Sequence, residues 1–85
     1  MTWEFVITNL AARDLRALHR TELEVIDGAF EAMRTDPYGG DIKFLRGAGN
    51  TMGRRVGDWR ILFELYKDRR LIVVFGVKRR GSKTY

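Results

Sequence analysis

The 85-residue chain has no cysteine, one proline and one histidine. Without cysteine there can be no disulfide, thiolate metal ligand or cysteine nucleophile, and His19 alone cannot make a zinc site. The longest apolar run, Leu71 to Phe75, falls far short of the ~18 residues of a membrane span. An N-terminus that carries Glu4 and no long apolar stretch does not read as a signal peptide. These absences lead us to expect a cytoplasmic protein with no membrane partner. Also missing are a Ser-His-Asp set, a phosphate-cradling glycine loop and paired carboxylates in the C-terminal half. Gly47-Ala48-Gly49 neither follows a clear strand nor opens a helix and reads as plain loop. Neither a metal nor a small-molecule cofactor is expected, and the length allows one domain, over residues 1–85, with no room for a separate cofactor domain.

Acidic residues are scarce in one half of the chain only. Residues 1–42 hold four arginines against eight acids, a formal −4, while residues 43–85 hold twelve basic residues against Asp58, Glu64 and Asp68, a formal +9. That asymmetry points to a polyanion met by the C-terminal half. With 45% hydrophobic and 12% aromatic residues, the chain has the material for a small core.

Trp3, Phe5 and Ile7 alternate with polar residues, as in a half-buried strand over about 2–8. From Asn9, a good N-cap, Ala11, Leu15 and Leu18 recur at helical spacing and predict a helix ending near His19, which would sit at its C-terminal dipole. Thr21 and Glu24 have capping-box form ahead of Leu23, Ile26, Phe30 and Met33, predicting a helix over 22–34. Pro37, Gly39 and Gly40 stop it. Residues 41–50 read as a loop anchored by Ile42, Phe44 and Leu45. Strands follow at 51–56, at Trp59 to Tyr66 after the Gly57-Asp58 turn, and at Leu71 to Phe75 after Lys67-Asp68-Arg69-Arg70. The tail beyond is basic. The order β-α-α-β-β-β predicts an α+β fold, a helical hairpin packed on one face of a mostly antiparallel four-stranded sheet. Glu64 is expected to pair across the sheet with a Lys or Arg.

The residues left for chemistry are Arg54, Arg55, Arg60, Arg79 and Arg80, with Lys78, Lys83, Tyr66 and Tyr85. Pro37 followed by Ile42-Lys43-Phe44-Leu45-Arg46-Gly47, then Arg55-Val56-Gly57-Asp58-Trp59-Arg60-Ile61-Leu62-Phe63-Glu64, then Val73-Val74-Phe75-Gly76-Val77-Lys78-Arg79, resembles the RelE/ParE superfamily of bacterial toxin–antitoxin modules. The resemblance covers nearly the whole chain, and the Arg-Val-Gly-Asp-aromatic-Arg block is its most specific part. It implies one of two functions. RelE-like members are ribosome-dependent mRNA endonucleases, whereas ParE-like members poison DNA gyrase and lack the nuclease's basic cluster and terminal tyrosine. Arg55, Arg60, Arg79 and Tyr85 fill the RelE-like catalytic pattern, with Arg54, Lys78, Arg80 and Lys83 as further RNA-binding positions. Gly53 departs from it, standing where a first basic residue is expected. Arg54 lies across the pleat and could replace it only through a bulge. The implied partners are a cognate antitoxin, the ribosome and mRNA.

The chemistry is consistent with that set. Attack by a 2′-hydroxyl needs a base, cations for the charged pentacoordinate phosphate, and an acid for the leaving oxygen. Guanidinium forks match phosphate oxygens. A tyrosine among guanidiniums has its phenolate favoured, which lowers its pKa from ~10 toward a useful range. This fits Tyr85 as the base.

Overall fold

The computed structural model describes residues 2–44 and 51–79. The elements are β1 (Glu4–Ile7), α1 (Asn9–Arg16), α2 (Arg20–Thr35), β2 (Asp41–Phe44), β3 (Thr51–Val56), β4 (Trp59–Tyr66), a 3-10 turn at Lys67–Arg69 and β5 (Leu71–Arg79). Both helices start from caps other than those expected. Thr8 caps α1, its Oγ1 accepting from the Ala11 N–H at 3.2 Å, so Asn9 is already helical. The helix closes at Ala17, and His19 opens α2 instead of ending α1. The His19 amide donates to Glu22 Oε1 at 3.0 Å. That contact fixes the second helix two residues ahead of the expected Thr21/Glu24 box.

The helices pack on one face of a mixed sheet. It has five strands, in the order β1-β5-β4-β3-β2, where four were expected. The added strand is β2, inside the segment read as a loop. Asp41 to Phe44 pair antiparallel with Arg55 to Met52. Four residues between glycine-containing stretches, with Phe44 68% exposed, are too short and too open for alternation to stand out. β1 runs parallel to β5, and the other ladders are antiparallel. The core lies between the layers: Ala11, Ile26, Ala29 and Met33 of the helices meet Met52, Ile61, Phe63, Ile72 and Val74 of the sheet. Full burial of each large side chain is worth about 1.5–3 kcal/mol. The β3–β4 turn needs Gly57 at φ +58, and Arg70 takes the left-handed conformation at φ 48 before β5. No helix among the described residues is long and apolar enough to cross a membrane.

β5 continues to Arg79, past the expected end at Phe75, because β4 supplies ladder partners as far as Trp59. It does so with one extra residue. Leu62 opposes Gly76 while Phe63 opposes Val74, which leaves Phe75 as a bulge. A one-residue insertion in a period-two strand exchanges the faces of everything beyond it. Val77 therefore returns to the core and Lys78 points away from the helices. At the same level β1 has ended. The Val77 N–H, an edge donor there, is taken by Asp14 Oδ2 of α1 at 2.9 Å, so that donor is not orphaned.

Candidate functional site

Cross-strand partners share a face, so the ladder decides where each basic side chain stands. Arg55 of β3 opposes Arg60 of β4, and Arg60 opposes Lys78 of β5. The three form one row on the face away from the helices. Adjacent strands are about 4.8 Å apart, and like charges placed directly opposite repel. The row is relieved by carboxylates at both ends. Arg55 Nη1 lies 3.8 Å from Asp41 Oδ2 of β2, with both side chains more than half exposed, a contact worth at most about 1 kcal/mol. Lys78 Nζ lies 3.1 Å from Asp14 Oδ2. Arg60 lies across Gly53: a Cβ at that glycine would stand 3.0 Å from Arg60 Cδ and 3.2 Å from Cγ. Arg60 therefore leans toward β3 and Lys78 toward α1, away from each other.

Arg54 and Arg79 face the helix side. β3 pairs regularly with both neighbours, and the bulge lies in β5, so Arg54 is not carried round to the place of Gly53. Its Nη1 donates to the Gly39 carbonyl at 3.0 Å. The guanidinium closes over Gly40 (φ +76), where a Cβ would come 2.6 Å from Arg54 Cζ. This arginine ties down the loop that leaves α2. Arg79 stacks on the Trp59 indole, with Cζ 4.8 Å from the ring centroid. Its Nη2 lies 3.4 Å from Glu22 Oε2, the same carboxylate that receives the His19 amide. Tyr85, Arg80 and Lys83 lie outside the described residues.

Across the sheet Glu64 stands opposite Thr51 and Val73 rather than the Lys or Arg expected. Among the described residues its carboxylate accepts from Tyr66 Oη at 3.0 Å and from Thr51 Oγ1 at 3.5 Å. The hydrogen bond to Glu64, and then its charge, raise the Tyr66 phenol above its ordinary value. Tyr66 is thus driven away from base chemistry near neutrality. It lines a shallow hollow of about 450 Å³ with Tyr38, Phe44, Met52 and Leu65, at the opposite end of β4 from Arg60. Among the described residues no three His, Asp or Glu side chains are grouped to hold a metal ion.

Two residues on the cationic face escaped the sequence reading because β2 did. Asp41 and Lys43 stand opposite Arg55 and Gly53 respectively. The alternation of Ile42 and Phe44 with polar residues was the signal available for them.

No family model and no curated protein matches the sequence. Solved structures do. The chain is similar to the toxin–antitoxin complex RelBE2 from Mycobacterium tuberculosis, with a TM-score of 0.83 and 25% identity over 94% of this chain and 100% of that one. It is similar to the archaeal RelE–RelB complex from Pyrococcus horikoshii OT3, with a TM-score of 0.80 and 21% identity over 95% and 98%. The isolated RelE toxin of E. coli gives 0.78 and 14% over 96% and 88%. The fold is that of the RelE toxins. At these identities the likeness is one of fold, two helices packed on a mixed sheet.

Proposed function

We propose that the chain is the toxin of a toxin–antitoxin pair and an endoribonuclease that cuts mRNA on the ribosome by 2′-hydroxyl attack. The observation that carries this reading is the row of Arg55, Arg60 and Lys78 on neighbouring strands, on the face the helices leave open. Guanidiniums fixed on a sheet are preorganised for charge that grows on a phosphate during reaction, and that gain is realised only in the transition state. In this reading Tyr85 is the base, while Arg79, held on the helix side against Trp59 and Glu22, stands outside the row and meets a phosphate only at the end of β5, by leaving Glu22. Several of the solved neighbours are RelE–RelB assemblies, which supports a cognate antitoxin as partner. An acidic antitoxin segment suits the same face.

The test is primer extension on a reporter mRNA after brief induction, with and without ribosomes. Cuts within translated message are expected. Intact mRNA beside failing DNA supercoiling would replace this reading with the gyrase-directed one. In single-turnover cleavage, Tyr85→Phe is expected to lose on the order of 10²-fold or more, the scale of a positioned base. A wild-type rate would remove Tyr85 from that role and leave the cations.

A further inference from the structure

Gly53 interrupts the cationic face at its centre. It is buried beneath the Arg60 stem, Arg55 stands two residues along the same strand, and the cross-strand partner on its other side is Lys43. Because partners share a face, Lys43 projects on the open side of the sheet with Arg55 and Arg60. It is exposed and sits on the edge strand, where the long stem can swing toward β3 and the edge of the Arg60 stem that covers Gly53. A Cβ at position 53 would press on the Arg60 stem, 3.0 Å from its Cδ.

We propose that Lys43 is a further phosphate-binding residue of this face, reaching from β2 the place that Gly53 leaves without a side chain. The inference rests on the RNA-cutting reading and names a contact within it. Lys43, Arg55 and Arg60 then surround Gly53 from three adjacent strands. A polyanion crossing β2, β3 and β4 meets a cation on each. The competing role is that of an edge lysine that only prevents strand-to-strand aggregation. That role needs a charge of either sign; phosphate binding needs a positive one.

The experiment uses the full chain and a short fluorescent single-stranded RNA whose 2′-hydroxyls are methylated so that it cannot be cut, with affinity followed against salt. Each phosphate contact to single strands adds about 0.7 to the slope of log affinity on log salt, or roughly fivefold in affinity for each tenfold dilution of salt. Lys43→Gln is expected to flatten the slope by about that amount and to weaken binding about fivefold at ~0.1 M relative to ~1 M salt. Lys43→Arg should restore both, and Lys43→Glu, which keeps an edge charge, should bind more weakly than Lys43→Gln. Arg69→Gln, exposed in the hairpin at the far end of β4, serves as the charge-loss control, with thermal melts run for all variants. If Lys43→Gln and Lys43→Glu both keep the slope of Arg69→Gln while Arg60→Ala lowers it, Lys43 is an edge residue only and the cationic row stands. If wild-type protein shows no salt-dependent affinity, or Arg60→Ala leaves it unchanged, the RNA-binding face itself falls and this inference with it.

Discussion

Arg54 and Arg55 are adjacent and carry the same guanidinium, yet the pleat sends them to opposite faces with opposite duties. Arg54 is committed to the Gly39 carbonyl, whereas Arg55 makes an open contact with Asp41. Arg54→Ala is therefore expected to cost about 1–3 kcal/mol, the range for a hydrogen bond from a charged donor, and to lower the melting temperature by several degrees. RNA affinity should hardly change. Arg55→Ala should do the reverse, holding stability to within about 1 kcal/mol while weakening RNA binding. Equal effects of the two changes, in melts and binding assays run side by side, would contradict the facing of β3. Tyr66 provides a second test at this scale. Its phenol titrates above 10.0 because it donates a hydrogen bond to Glu64 and lies beside that charge. The folded chain thus holds that proton more tightly than the unfolded chain, and the associated stability is complete below the ordinary tyrosine range and fades as pH rises through the raised folded value. Absorbance titration of wild type against Tyr66→Phe isolates this step, and Glu64→Gln should move it back toward 10.0. No movement would mean that the carboxylate is not the cause.

Among the elements, the end of β5 depends on two devices that no residue pattern announces. The Phe75 bulge turns Lys78 out and Val77 in, and Asp14 takes the amide that β1 no longer reaches. Asp14→Ala orphans that partly buried donor at a cost of about 1–3 kcal/mol. Asp14→Asn keeps an acceptor and should recover most of the loss. Hydrogen exchange at the Val77 amide should quicken in the alanine variant and stay slow in the asparagine one; slow exchange in both would show that Asp14 is not the cap. The same region marks the limit of what the sequence discloses. The alternation from Trp59 to Tyr66, the helical stripe from Leu23 to Met33 and the proline-glycine break are strong periodic signals, and the elements stand where those signals lie. β2 has four residues, too few for a period to repeat. A bulge is a single inserted residue, so period-two counting from Val74 sends Lys78 and Arg79 to the wrong sides. The basic residues of the site were legible as residue types, whereas their division between faces depends on ladder register, which pairs residues distant along the chain. The resemblance groups Arg79 with Arg55 and Arg60, whereas in the fold it rests on Trp59 and Glu22.

At the level of the whole molecule, charge and layer coincide. The acidic half of the sequence holds both helices, and the basic half holds β3, β4 and β5. Strand order adds a constraint of another kind. Among the described strands β1 pairs only with β5, Glu4 opposite Leu71 and Ile7 opposite Val74, so the first strand made waits for the last. Such long-range parallel pairing is slow to form, and during synthesis the N-terminal strand emerges with no partner available. A nascent chain stalled with residues 71–79 still in the exit tunnel is expected to be digested as unfolded polypeptide, while one carrying a linker that brings β5 out should resist protease. Resistance in both would show that the hairpin of β3 and β4 folds on the helices without its neighbour. The cationic row has the same dependence, because one of its three members stands on β5. On the proposed function, a ribosome making this chain would translate through Arg79 before the face that acts on a ribosome exists, and the order of strands would delay the activity of each copy until its own synthesis has passed that point.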